Sequence, residues 1–279
     1  MKTRLLTAAI ALPILIASII LPWYIPQTVW IFVAIAVAAL LTGLFEFYSL
    51  TKKLELKADA GIAYLGAAAL TVSFIFDAPA KAPDLLILTL ALFVIAVLIS
   101  QSFRFQVDFT KMLAGVSVTI LGVLYIVFLG GFLISIRVGF ENTAGLSTDL
   151  LLYFFIVMFG SDAGAYFVGR SFGKHKLAPK ISPGKTVEGL IGGIMAAAGL
   201  AALCTLIFFQ ELPYQYSIPL AIVMASVGVL GDLAESAIKR GSKTKDTATT
   251  LPGHGGLLDR LDSLLFNAPI LYYFARFYF

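Results

Sequence analysis

The sequence predicts an all-α fold: a polytopic bundle of about nine transmembrane helices with a cytosolic N-terminus. Three observations carry this. Of the 279 residues, 59% are hydrophobic and 13% charged, whereas a soluble domain carries about 25% charged residues. Mean hydropathy is +0.95. Nine stretches approach the roughly 20 apolar residues that a helix needs to span a bilayer. They lie near 5–21, 28–50, 60–76, 84–102, 112–136, 149–169, 187–209, 217–238 and 256–275. With nine spans the 20 lysines and arginines divide 17 to 3 between the two sides, the minority being Lys81, Arg137 and Arg276. The positive-inside rule then places the N-terminus and the large basic loops in the cytosol.

The first stretch follows Lys2 and Arg4 and resembles a signal peptide, but it is long and no clear small-x-small site precedes Pro22, so we expect it to be retained. The second carries Glu46, an intramembrane carboxylate expected to be protonated or hydrogen-bonded between helices. The third is short. Pro22, Pro26, Pro79, Pro83, Pro213 and Pro219 fall at or near the breaks, as helix-ending residues should. Residues 1–150 read as a lipid-facing helical scaffold, and residues 151–279 hold nearly all the buried charge. No strand-like alternation is visible, and lipid favours helices because they satisfy their backbone internally. Cys204 sits alone in an apolar run, so there is no disulfide framework. Gly160 and Gly164 have a spacing that suits close helix packing and permits a homodimer.

Chemistry concentrates near the eighth and ninth spans. Asp232, Glu235, Ser236 and Lys239 share one helical face by their offsets, as do Asp259 and Asp262. The loop between them ends Pro252-Gly253-His254-Gly255-Gly256. Two antiparallel helices joined by it would bring the acidic faces together at the cytosolic boundary. Oxygen-only ligands suit a hard cation, and Mg²⁺ takes one or two carboxylates together with waters and substrate phosphates. Lys239, Arg240, Lys243, Lys245 and Arg260 suit phosphate oxygens. The glycines would let backbone N–H groups at the ninth helix face an anion. His254 could donate to phosphate or move a proton, or simply order the loop. Interhelical salt bridges would explain single pairs of these charges, but fewer charges would suffice for that.

A second cluster comprises Asp162, Tyr166 and Arg170 and the basic loop from Lys174 to Thr186, whose cations would attract a nucleotide or anionic headgroups. Ser182-Pro183 reads as N-cap and first helical residue, with Glu188 then compensating the helix dipole. Gly184-Lys185-Thr186 imitates the end of a P-loop, but position 179 is Pro179 where that motif needs glycine.

The run Ser236-x-Ile238-Lys239-Arg240, Lys245-Asp246 and Leu251-Pro252-x-His254-Gly255-Gly256-Leu257-x-Asp259-Arg260-Leu261-Asp262 resembles the signature of phosphatidate cytidylyltransferases, also called CDP-diacylglycerol synthases. Asp162-x-x-Ala165-Tyr166 and the loop from Lys174 to Glu188 are similar too, so the resemblance covers roughly 160–263. Thr247-Ala248 departs from it, where an aromatic and a glycine are more usual. The resemblance implies Mg²⁺-dependent transfer of CMP from CTP (or dCTP) to phosphatidate, releasing pyrophosphate. On that basis Asp232, Asp259 and Asp262 are the expected metal ligands, with Lys239 and His254 also catalytic. Lys185, Arg240, Lys245 and Arg260 would bind phosphates, Ser236 would be a supporting donor, and Asp162 and Tyr166 would line the cavity. It also suggests that a monovalent cation such as K⁺ shares the carboxylates. The expected partners are the two substrates and membrane lipids, with no nucleic acid. The short N-terminus, with no long polar extension, points to a bacterial inner (plasma) membrane.

Transporters also use intramembrane carboxylates, but here the polar groups gather at one edge rather than along a path. A polyprenol kinase is a nearer rival. A CDP-alcohol phosphotransferase is disfavoured, since its Asp-Gly-x-x-Ala-Arg pattern is absent.

Overall fold

The computed structural model of the chain describes residues 2–77, 84–104, 109–140, 145–244, 247–248 and 255–279, with no side chains described for residues 2–8. Its helices are α1 (Lys2–Tyr24), α2 (Val29–Lys52), α3 (Ala60–Phe76), α4 (Asp84–Arg104), α5 (Phe109–Gly122), α6 (Leu129–Gly139), α7 (Leu146–Phe172), α8 (Val187–Ile207), α9 (Tyr214–Gly241) and α10 (Leu258–Tyr278). A π-helical stretch, Val123–Phe128, fuses α5 and α6 into one rod. Each of the nine apolar stretches therefore lies in a helix, save 208–209 and 256–257 at two of their ends. Among the described residues, six helices are long and apolar enough to cross a membrane, and Ala9–Tyr24 and Ala60–Phe76 are shorter apolar helices.

Two expectations need correction. Residues Ser182–Thr186 are not the start of a helix: they form β2, which pairs antiparallel with β1 (Lys176–Ala178). The helix begins later, at Val187, where the Thr186 hydroxyl accepts the Gly189 N–H at 3.1 Å as an N-cap. Secondly, Pro22 and Pro219 lie inside α1 and α9 rather than ending them. Pro219 falls within the first turns, near where helical N–H groups lack partners anyway.

Packing follows side-chain size. Gly164 on α7 sits so close to α8 that an added methyl would meet the Ala196 side chain and the Gly192 carbonyl. The glycine face of α7 is thus spent inside the bundle, as small-residue faces allow. α9 packs between α8 and α10, and α10 also packs on α2 and α6. Aromatic rings fill the core where these meet: Phe132 lies 5.0 Å from both Phe74 and Tyr272, centroid to centroid. This places the C-terminal end of α9, the N-terminal ends of α8 and α10 and the β-hairpin at one end of the bundle.

Candidate active site

The site grows from two helix ends. On α9, Asp232, Glu235, Ser236 and Lys239 occupy the last turns, and on α10 Asp259 and Asp262 occupy the first. Acids near a helix N-terminus and cations near a C-terminus are each favoured by the helix dipole. Glu235 is buried at the α9–α10 seam, and its Oε2 lies 2.6 Å from Lys239 Nζ. The same Nζ donates to Asp259 Oδ1 at 2.8 Å. Asp259 Oδ2 accepts the Gly256 N–H at 2.8 Å and lies within reach of the Thr247 hydroxyl at 3.1 Å.

One oxygen from each of Asp232, Glu235 and Asp262 lies within 4.8 Å of the others. Oxygens sharing one cation at 2.0–2.6 Å stand at most roughly 5 Å apart, so the spacing fits a hard divalent ion. Glu235 Oε1 is buried without a hydrogen-bond partner among the described residues, so a cation held there would satisfy it. Three carboxylates supply the donor chemistry that Mg²⁺ or Ca²⁺ accepts.

Beside this grouping opens a cavity of about 360 Å³ between α7, α8, α9 and the hairpin. Its polar wall holds Asp162, Tyr166, Arg170, Lys185, Thr186 and Asp232. Arg170 donates to the Tyr166 hydroxyl at 2.8 Å, and Lys185 Nζ lies 2.6 Å from Asp232 Oδ2. Ser236 donates to Asp232 Oδ1 at 3.3 Å. Asp232 thus belongs both to the cavity wall and to the carboxylate grouping. The hairpin that carries Lys185 is held from both sides. Glu188 accepts the Lys174 N–H at 3.1 Å and lies 2.6 Å from the His175 ring, while Arg240 donates to the Ile181 carbonyl at 3.2 Å.

The sequence pattern of the cytidylyltransferase family matches residues 2–278 of this chain. The chain belongs to the cytidylyltransferase family. It is 36% identical to the phosphatidate cytidylyltransferase of Bacillus subtilis over 278 residues, covering 98% of this chain and 97% of that one. The phosphatidate cytidylyltransferase of Haemophilus influenzae is 48% identical over 134 residues, 47% of this chain and 46% of that one. The Staphylococcus haemolyticus enzyme of the same name is 43% identical over 134 residues, 47% of this chain and 51% of the relative. The cytidylyltransferase pattern reaches into the N-terminal half, where only an apolar character was visible by eye.

Set on this cytidylyltransferase fold, Asp162, Tyr166, Lys185 and Asp232 converge on one cavity, and Asp262 joins Asp232 in the carboxylate grouping. Asp259 stands outside that grouping, with its oxygens engaged by Lys239, Thr247 and Gly256. Arg240 anchors the hairpin, and Arg260 is exposed on the first turn of α10. Lys245 and His254 lie outside the described residues. Two residues here carry no role in the expected site. Glu235, placed by its offset on the same helical face as Asp232 but given no role there, is a member of the carboxylate grouping. Tyr125, from the π-helical stretch, packs its ring 6.0 Å from that of Phe266, one turn beyond Asp262, and no sequence pattern marks it.

Proposed function

We propose that this protein transfers CMP from CTP to phosphatidate, forming CDP-diacylglycerol and pyrophosphate. The observation that carries this reading is the double membership of Asp232. A phosphate drawn into the cavity by Lys185 and Arg170 sits beside the carboxylate grouping. Membership of the cytidylyltransferase family and the names of its relatives support the same reaction.

The lipid's phosphate monoester is already anionic, so no strong base is required. One of its oxygens forms a bond to the α-phosphorus of CTP, and the bond from that phosphorus to the bridging oxygen of pyrophosphate breaks. Catalysis then comes from positioning and charge stabilisation. Lys185, Arg170 and Arg260 bind phosphate oxygens, and Lys239 holds Glu235 and Asp259 in place between the two helices. Ser236 orients Asp232. Asp232, Glu235 and Asp262 are the residues that would hold Mg²⁺, with Asp259 adjacent, and the ion would neutralise charge on the triphosphate and on the leaving pyrophosphate. A monovalent cation such as K⁺ fits the same oxygen-rich site.

The basic loops flank this end of the bundle, so the positive-inside rule turns the site to the cytosol, where CTP is dissolved and phosphatidate arrives sideways from the leaflet. Bacterial relatives support an inner-membrane location. A homodimer would need a face other than Gly160 and Gly164, which are covered by α8.

The test is CDP-diacylglycerol formation by purified protein in mixed micelles with phosphatidate, CTP and Mg²⁺, beside Asp262→Asn. Nucleotide lipid and pyrophosphate should appear together and fall at least about 100-fold in the variant. Folded wild type that makes no product across acyl chains, with CTP or dCTP, would refute the assignment.

A further inference from the structure

We propose that Glu46 is a positioning residue for the transfer reaction, fixing the start of α10 so that Asp259 keeps its bond to Lys239 and Asp262 stays beside Asp232 and Glu235; this rests on the reaction proposed above. Glu46 stands on α2, six residues from its end and therefore about 9 Å inside the helix. It is fully buried. A carboxylate so placed is costly unless it is partnered. Its partners come from the far end of the chain. Oε1 accepts the Leu257 N–H at 2.8 Å, and Oε2 accepts the Leu258 N–H at 2.8 Å. These belong to the N–H groups that a helix N-terminus leaves unsatisfied, and Leu258 immediately precedes Asp259.

A second link runs through Thr247. Its hydroxyl lies 3.0 Å from Glu46 Oε2 and 3.1 Å from Asp259 Oδ2, and its backbone N–H donates to Asp259 Oδ2 at 3.3 Å. A hydroxyl has one proton, so Thr247 serves one carboxylate at a time and ties both to its own position. Gly256 closes the joint, because a side chain there would run into the Thr247 hydroxyl and Glu46 Oε2. A helix cap alone would need only the two backbone bonds. The connection through Thr247 to Asp259, and on to Lys239 and Glu235, runs into the carboxylate machinery itself.

The experiment uses the full chain in detergent, with Mn²⁺ as the probe and bound ion read by electron paramagnetic resonance, beside kcat and KM for CTP. Glu46→Gln keeps the volume but turns an amide NH₂ towards a backbone N–H. We expect half-saturating Mn²⁺ to rise about 10-fold, the loss typical when a group supporting metal ligands is changed. For kcat we expect a fall of about 100-fold, as for a 1 Å misplacement, while KM for CTP at saturating metal stays within about twofold. Thr247→Val should move the same readouts in the same direction, and the double variant should lose no more than the worse single one, because both act through one link. Wild-type Mn²⁺ affinity and kcat in folded Glu46→Gln would overturn the proposal, as would a loss confined to yield or thermal stability. If Glu46→Gln does not fold, an unshifted Mn²⁺ titration in Thr247→Val overturns it. If wild type forms no CDP-diacylglycerol, the reaction assignment falls while the Mn²⁺ titrations still decide the role of Glu46.

Discussion

Replacing Lys239 by methionine isolates the electrostatic centre of the site. Lys239 Nζ lies 2.6 Å from Glu235 and 2.8 Å from Asp259, and the three side chains are 15%, 1% and 11% exposed. At an effective dielectric of about 20, each contact supplies about 6 kcal/mol of attraction before desolvation is subtracted. Methionine keeps most of the volume, so the packing change is small. What remains is two buried carboxylates that have lost the lysine between them. Breaking a buried ion pair from one side costs about 3–5 kcal/mol, and the second carboxylate puts the expectation at the upper end. The assay is unfolding of the purified protein in detergent, followed by tryptophan fluorescence, with EDTA or with Mg²⁺. Lys239→Met should be destabilised by about that amount in EDTA, and Mg²⁺ should stabilise it more than it stabilises wild type. Adding Glu235→Gln to Lys239→Met should recover part of the stability, since one of the unpaired charges is gone. If Lys239→Met unfolds like wild type in EDTA, or the double variant is worse than the single by the full cost of Glu235→Gln, the reasoning fails.

Lys185→Met should behave in the opposite way. Its partner Asp232 is 39% exposed, so the pair contributes less than about 1 kcal/mol to stability. Catalytic efficiency should nevertheless fall about 100-fold, mostly through KM, in a steady-state assay with both substrates varied. Gly231→Ala probes the α9–α10 seam, because the added methyl would stand 2.7 Å from the Asp262 carbonyl oxygen and 3.2 Å from the Phe266 ring. Overpacking of that kind costs about 1–3 kcal/mol. It should lower both the unfolding midpoint and the activity, whereas Gly199→Ala, with open space around it, should change neither.

The helical architecture is legible in the sequence because lipid leaves a chain few choices, and each apolar stretch must close its own hydrogen bonds. The hairpin of β1 and β2 is not legible, for a physical reason. Ser182-Pro183-Gly184-Lys185-Thr186 lacks the alternating β-branched residues that mark a strand. Its Ser-Pro pair matches a helix start equally well. Contacts distant in sequence decide the matter, through Glu188 on one side and Arg240 on the other. The site is legible where periodicity puts side chains on one face, as for Asp232 with Ser236 and for Asp259 with Asp262. Where geometry depends on how two faces meet, it is not. Nothing in the local pattern tells that Glu235 points at Asp232 and Asp262 while Asp259 turns to Lys239 and the loop. Glu46 is the extreme case, for its partner Leu257 is 211 residues away. Its intramembrane position marks it as unusual, but the partner depends on how the α10 N-terminus docks against α2.

Carboxylates at this end of the bundle outnumber the lysines that pair with them. Lys185 offsets Asp232, and Lys239 offsets Asp259 and Glu235. Asp262, in the first turns of α10, accepts the Ser263 N–H at 2.6 Å and adds a further carboxylate to this set. Such a site has little free cationic capacity for a nucleoside triphosphate. A polyanion approaching Asp232 would meet more carboxylate than lysine, and binding would require either displacing the ion pairs or adding positive charge. A divalent cation held by Asp232, Glu235 and Asp262 would do the second. Coupling nucleotide affinity to metal in this way would make a triphosphate that arrives without its cation a poor ligand. It would also let the two lysines keep Glu235, Asp259 and Asp232 in their paired orientations. Lys239 therefore acts on the enzyme's own carboxylates, whereas Lys185 also faces the cavity. This is why Lys239, buried at the seam, should matter for the fold, whereas Lys185, at the cavity wall, should matter mainly for binding.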